Sequence, residues 1–391
     1  MRETNLTMDH QKKMKVLFRH RSMEMGGVEK VLLSMLNNLD KNKFDIALNL
    51  NLYQGELRDK IPTDIKTTIF AGGKEDFPKN GILNKVYLVL RAAKLWFYRK
   101  YPQYTDQKII KNNYDVEIAT GYTMYNDVMN STNKKSKKIG WLHSDLTLDG
   151  FGPIREQIFK NLQAFDYVIF GSQQSKDVLI ETYPDLKLPP NKVILNAIPI
   201  EEIKQKAAEF KPDFKDIPTF VSVGRLHYRK GYRKLIEVHK ELLDKGYQHQ
   251  IIIVGGGEDY DLLTERAKEL NVEDTFILKG TLMNPYPYVK NADFYIMPSE
   301  SEGWPLIIAE TLILKKPILA TNVGGIPEMI SHKENGYLME DSHESIANGM
   351  IEFLENKSLL ENINKGLEDS EEQFNSKKIF DAVEEIILKF K

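Results

Sequence analysis

Between 299 and 328 the chain reads SESEGWPLIIAETLILKKPILATNVGGIPE. A strand is expected to end at Met297–Pro298, with a helix after a short loop. Pro305 suits the first helical position, where its missing N–H is no loss. Glu302 stands in the loop, and Glu310 lies about one and a half turns into the helix. Gly303 and Trp304 offer backbone N–H groups at the helix N-terminus, a natural seat for an anion such as phosphate. Leu306, Ile307, Leu312, Ile313 and Leu314 bury the remaining surface. A plainer reading makes Glu302 a helix cap and Glu310 a solvated side chain. It suits either glutamate alone better than it suits the whole string.

A second segment, VGRLHYRKGYRKLIE at 223–237, ends a strand at Val223, turns at Gly224 and then presents Arg225. Arg229, Lys230, Arg233 and Lys234 crowd the start of the next helix, and no acid precedes Glu237. Cations there oppose the helix dipole and repel one another. A buried polyanion would relieve both problems, and Arg and Lys are the usual phosphate contacts. That role fits Arg225 and Lys230 at the strand tip, whereas Arg233 and Lys234 read as a solvated helix start.

A third segment, HRSMEMGGVEKVLLSMLNNL at 20–39, opens a helix near Val28 behind Gly26-Gly27. Paired glycines let a ligand approach the backbone, although they also serve plain tight turns. His143, in WLHSD at 141–145, follows a strand; a lone histidine is more often structural than catalytic. None of the eight histidines forms an HExxH or similar set, so no metal is expected. VGGGED at 254–259 is not GxGxxG, and no acid ends a following strand to hold a ribose. Asp259-Tyr260-Asp261 reads as a helix start, where acids suit the dipole, rather than as a metal motif.

These residues need elements to position them. Short apolar runs are expected as strands near 15–20, 45–52, 66–70, 116–120, 137–143, 167–171 and 192–195, then near 219–223, 250–254, 275–279, 293–297 and 317–321. Helical patterns fall between them, at 28–39, 231–245, 259–270 and 305–315. Such alternation predicts an α/β architecture with parallel sheets. Asn196, Pro199, Pro212 and Pro218 punctuate a boundary near 196–218, giving domains at 1–198 and 199–375. A last helix, 376–390, has apolar positions at Ile379, Phe380, Val383, Ile386, Ile387 and Phe390 and needs a surface to cover.

Composition sets outer bounds. The 391 residues carry 54 Lys and Arg against 56 Asp and Glu, a net charge of −2, so the chain as a whole is not built to coat nucleic acid. There is no cysteine, which excludes disulfides, thiolate nucleophiles and cysteine metal sites and fits a reducing compartment. Residues 1–14 are too polar for an export signal. No stretch reaches the roughly 18 apolar residues of a membrane span.

Together the segments resemble the retaining glycosyltransferases of family 4. The most specific match is Glu302 and Glu310 with seven residues between, followed by Gly324-Gly325-Ile326-Pro327-Glu328. Arg225 with Lys230 comes next, and Gly26-Gly27 and His143 match first-domain positions. Trp304 departs from the more usual Phe. The resemblance implies the GT-B fold: two Rossmann-like domains with parallel sheets facing across a cleft, and a C-terminal helix, 376–391, returning to the first. It implies a hexosyltransferase-type enzyme that takes a nucleotide sugar, uridine-linked by preference, and needs no further cofactor. Arg225 and Lys230 would clamp the diphosphate, and Glu310 would bind the ribose. Glu302, with the backbone of Gly303, Trp304, Pro305 and Leu306, would hold the sugar. Gly280, Thr281 and Leu282 would meet the base. Gly27 would let the phosphates approach from the first domain, and His143 would lie beside the donor sugar and the acceptor. The donor-binding domain is then 199–375 and the acceptor-binding domain 1–198. The acceptor would be a glycan or lipid-linked glycan of the cell envelope, handled in the cytoplasm. The same fold also serves epimerases, phosphorylases and inactive binding proteins.

Two basic stretches remain. Residues 79–101 carry Lys79, Lys85, Arg91, Lys94, Arg99 and Lys100 among Tyr87, Trp96, Phe97, Tyr98 and Tyr101. Such a helix suits an anionic membrane, but Arg91 and Lys94 do not segregate onto one polar face, which leaves plain packing equally open. Lys134, Lys135, Lys137 and Lys138 read as a solvated loop.

Overall fold

The computed structural model of the chain describes residues 12–147, 149–371, 374 and 376–391. Residues 1–11, most of the segment read for an export signal, lie outside them. The chain divides into two compact units. One comprises Met1–Gly171, Lys176–Ala197 and Lys377–Lys391, the other Ser172–Ser175 and Ile198–Ser376.

The first unit is built on seven strands: β1 (Met14–His20), β2 (Phe44–Tyr53), β3 (Lys66–Gly72), β4 (Val116–Ala119), β5 (Lys137–Leu142), β6 (Tyr167–Phe170) and β7 (Asn191–Val193). They pair in the order β3-β2-β1-β4-β5-β6-β7, all parallel. The second unit has β8 (Thr219–Val223), β9 (Gln250–Val254), β10 (Phe276–Leu278), β11 (Phe294–Met297), β12 (Ile318–Thr321) and β13 (Tyr337–Met339). Their order, β10-β9-β8-β11-β12-β13, is again all parallel. Every residue of β4, β6, β11 and β12 is buried, which is why these strands are apolar but for Glu117 in β4 and Thr321 in β12. Each buried Ile, Val or Phe stabilises the fold by about 1.5–3 kcal/mol. β7 starts and stops earlier than its sequence pattern implied, and β13 was not foreseen. Three residues at a sheet edge show no period.

The first helix, α1 (Gly27–Asn38), buries Val31, Leu32, Met35 and Leu36 on one stripe. The last, Ser376–Leu388, seats Val383, Ile386 and Ile387 in the first unit, which gives its apolar stripe the surface it needed. A feature the stripe did not show holds it there. The buried Glu384 carboxylate accepts the Asp40 N–H at 2.8 Å and pairs with Lys43 at 2.7 Å. α2 (Gly81–Lys100) is the exception to this economy: none of its 20 residues is buried.

One charged cluster sits inside the first unit. Glu117, on β4, is fully buried and meets Arg19 of β1 at 3.3 Å and Lys138 of β5. Ser131 and Ser136 each donate to it at 2.7 Å. Burial alone would raise its carboxyl, but the Arg19 and Lys138 charges outweigh that and hold it below the usual range. Lys138 is therefore not part of a solvated loop, and Lys137 pairs with Asp166 at 2.9 Å as β5 begins. Removing the carboxylate leaves two cations buried without a counter-charge. Glu117→Gln is expected to cost about 3–5 kcal/mol, read as a lower urea midpoint; an unchanged midpoint would show the cluster to be dispensable.

Candidate active site

In each sheet the chain order reverses beside the first strand, between β1 and β4 and between β8 and β11. Loops leaving the carboxyl ends of two such strands diverge, and ligands of open α/β sheets settle there. In the second unit this point carries Lys230 and Glu302. The Lys230 ammonium donates to Glu302 Oε1 at 2.6 Å, and the Ser299 hydroxyl donates to the same oxygen at 2.6 Å. Both charged side chains are mostly buried, at 24% and 11% exposed.

The Glu302 loop is pinned from below. The Gly325 N–H donates to Gly303 O at 2.6 Å, and Thr321 Oγ1 donates to Ser299 O at 2.6 Å. Gly324 has φ +56°, and a Cβ there would overlap the Glu302 carbonyl. The Gly-Gly pair thus serves as the support on which Glu302 rests. Pro305 is the N-cap rather than the first helical residue: its ψ of 108° is extended, and the helix runs Leu306–Ile313. Trp304 turns its indole inward against Phe374, ring centroids 6.3 Å apart, and so offers backbone rather than ring. Glu310 is 3% exposed, which removes the solvated reading. Tyr295, on β11, lies within electrostatic reach of both Glu302 and Glu310.

Four of the five cations at 225–234 are ion-paired by carboxylates of the same unit. Arg225 Nε donates to Glu258 at 3.1 Å, and Arg233 Nε donates to Asp259 at 2.9 Å. Lys234 pairs with Asp341, and Lys230 with Glu302. Arg233 and Lys234 are thus ion-paired rather than merely solvated. Sequence reading missed these partners because they come from other loops. Asp259 does precede a helix, Tyr260–Glu269, but its carboxylate serves Arg233 and makes no capping bond.

The glycine run set aside at 254–259 has a positioning role. A Cβ on Gly255 would overlap the Gly224 carbonyl. The Leu226 N–H donates to Gly256 O at 2.9 Å, and the Gly255 N–H donates to Gly280 O at 2.9 Å. The run therefore holds the Arg225 loop on one side and the Gly280–Leu282 loop on the other. Its signal in the sequence was its place directly after a neighbouring strand.

In the first unit, Gly26 caps α1 without a side chain, and the Glu29 carboxylate folds back over it. His143 follows β5, stacks on Trp141 with ring centroids 5.4 Å apart and stays partly exposed. Desolvation, reinforced by His20, pushes its imidazole down to about 3. His20, a residue the sequence did not single out, bonds Thr120 Oγ1 through Nδ1 at 2.6 Å. Thr120 in turn donates to Arg19 O at 3.0 Å, so His20 is the donor in that bond. Among the described residues no three His, Cys, Asp or Glu side chains gather as metal ligands.

The family model described as Glycosyl transferases group 1 matches residues 200–368, which include Arg225, Lys230, Glu302 and Glu310. That segment is similar to the group 1 glycosyltransferases. An uncharacterized glycosyltransferase of Haemophilus influenzae is 25% identical over 338 residues, 85% of this chain and 88% of that protein. The N-acetylgalactosamine-N,N'-diacetylbacillosaminyl-diphospho-undecaprenol 4-alpha-N-acetylgalactosaminyltransferase of Campylobacter jejuni is 30% identical over 201 residues, 50% of this chain and 52% of that protein. Crystal structures of Anabaena HepE share the fold. Its UDP complex has a TM-score of 0.73 at 18% identity, covering 96% of this chain and 100% of HepE. Its UDP-glucose complex has a TM-score of 0.72 at 20% identity, with the same coverage. The two parallel sheets are those of the GT-B glycosyltransferases.

So placed, His143 carries a neutral imidazole at working pH. The folded value near 3 lies below the ordinary 6.5, so deprotonated His143 favours the folded state. That stabilisation is complete above about 6.5 and is lost as pH falls towards 3. The His143 ring resonances are expected to show no titration between pH 8 and 5. His143→Gln should flatten the acid limb of the stability profile. A midpoint near 6.5 in the ring resonances would overturn this.

Proposed function

We propose that the chain moves a sugar, with retention at the anomeric carbon, from a uridine-linked nucleotide sugar to a glycan or lipid-linked acceptor of the cell envelope. The Lys230–Glu302 pair at the β8/β11 switch point carries the reading. An ammonium has three donors and Glu302 takes one, so two remain for phosphate oxygens. Breaking a sugar–phosphate bond builds charge on the departing diphosphate. Lys230 and Arg225 stabilise that charge, with the N–H groups leading into the Leu306–Ile313 helix nearby. Glu302 then has its free oxygen for sugar hydroxyls, and the buried Glu310 takes the ribose. Gly280, Thr281 and Leu282 meet the base.

No carboxylate stands out as a nucleophile, so a front-face displacement is favoured, with the leaving phosphate helping to take the acceptor's proton. A neutral His143 suits a hydrogen bond to the sugar or acceptor better than it suits a proton store. The uridine preference draws on the UDP and UDP-glucose complexes of HepE, and the lipid-linked acceptor on the diphospho-undecaprenol substrate named for the Campylobacter relative. Cytoplasmic action agrees with a chain free of cysteine.

Lys230→Ala and Glu310→Ala are expected to keep the fold by circular dichroism. Lys230→Ala should lower turnover about 10²–10³-fold, the usual loss for one preorganised electrostatic donor. A thermal-shift panel of nucleotide sugars should show uridine-linked donors stabilising the wild type and losing effect in Lys230→Ala. Full transfer activity in both variants would refute the assignment. Release of a free sugar phosphate rather than a nucleoside diphosphate would indicate a phosphorylase instead.

A further inference from the structure

α2 presents the wrong face to water. Its inward row, Asn84, Leu88, Arg91, Leu95 and Tyr98, follows helical spacing and is half-buried. Leu95 and Tyr98 pack on the cluster of Leu17, Phe70 and Ile110. With 3.6 residues per turn, the opposite face carries Ile82, Val86, Val89, Leu90, Trp96 and Phe97. All six are exposed, Ile82 at 78% and Val89 at 67%. Arg91, the cation that spoiled the amphipathic pattern in the sequence, points away from this stripe. Its guanidinium donates to Gln54 at 3.0 Å and lies over the Phe77 ring at 5.1 Å. Lys94 likewise leaves the stripe and lies over Tyr98 at 5.7 Å. The outward stripe is therefore continuous, and Lys85, Lys94, Arg99 and Lys100 border or end it.

We propose that this face of α2 lies on an anionic lipid surface, its apolar stripe in the interface and its flanking cations at the headgroups. An apolar stripe edged by cations, with aromatic residues towards one end, is the pattern of an interfacial helix. Tyr101 and Tyr104, each 46% exposed, extend the aromatic end as interfacial anchors do. Charge selects this occupant over a second copy of the chain. From Lys79 to Lys100 there are six cations, and no acid stands between Asp76 and Asp106. Stacking this helix on itself would set like charge against like, whereas anionic headgroups neutralise it. The proposal does not depend on which sugar is moved, and its readout is binding alone.

The full chain is mixed with sucrose-loaded vesicles of phosphatidylcholine, with or without phosphatidylglycerol, and the bound fraction is measured after sedimentation. Binding is expected to the anionic vesicles, to fall with added salt and to be at least tenfold weaker on neutral ones. Leu90→Glu, on the outward face and therefore harmless to packing, should weaken binding about tenfold or more, as should Lys85→Glu combined with Lys100→Glu. Equal binding to both vesicle types, wild-type binding by Leu90→Glu, or no binding at all would overturn the proposal. So would a dimer in sedimentation equilibrium that Leu90→Glu dissolves, since the stripe would then belong to an interface between copies.

Discussion

A parallel strand covered on both faces has no side that can hold an unpaired charge. That constraint organises both units. β4, β6, β11 and β12 are buried throughout, so polar chemistry is displaced to the loops at strand ends or must enter the sheet already neutralised. The Arg19–Glu117–Lys138 cluster is the second solution, three charges on three adjacent strands with hydroxyl donors completing the shell. The Lys230–Glu302 pair is the first. It stands where the strand order reverses and two loops part. Fold and site are thus consequences of one burial problem.

The loops at that point are held by backbone, not by large side chains. Gly324 and Gly325 press against Glu302 and Gly303, and Gly255 against Gly224. A side chain at any of the three glycines would push a charged loop off its seat. This explains why motif pieces far apart in sequence occur together: 299–304 cannot keep its shape without 322–325, nor Arg225 without 254–258. The cost falls on conformational entropy, since a glycine loses more freedom on folding than other residues.

Strand positions were legible because two-sided burial writes itself as continuous apolar runs. The places of Glu302, Glu310, Arg225 and Lys230 around strand ends and helix starts were legible because their spacing is tied to those boundaries. The last helix's need for a surface was legible from its stripe, whereas its return to the first unit was implied only by the family resemblance. What could not be read were partners set by tertiary closure: Glu258, Asp259 and Asp341 on the basic helix start, Asp40 and Lys43 on Glu384 of the last helix, Thr120 behind His20. Local electrostatics suggested that the cations at 225–234 lacked acids, which was true of that segment and false of the fold. Arg91 failed for a related reason. It stands in the inward row, and the Gln54 and Phe77 that receive its guanidinium lie outside the helix, so the helix sequence alone shows only a cation among apolar residues.

That internal neutralisation bears on how an anion would be received. A half-buried site of effective dielectric near 20 gives roughly 4 kcal/mol per unit charge pair at about 4 Å. Glu258, Asp259 and Asp341 offset the neighbouring cations, so without Glu302 it is Lys230 that would lack a counter-charge and face the helix dipole unrelieved. With Glu302 in contact at 2.6 Å, the ammonium is already oriented and partly desolvated. In the proposed role a diphosphate would add to an arranged cation rather than order a mobile one, which would lower the entropic cost of binding. The same carboxylate limits the attraction, because its charge opposes the incoming phosphates. A site that held the diphosphate too firmly would also hold the leaving group after transfer. In the proposed role, a lysine whose charge is partly offset by its own carboxylate would stabilise the departing charge and still let it go.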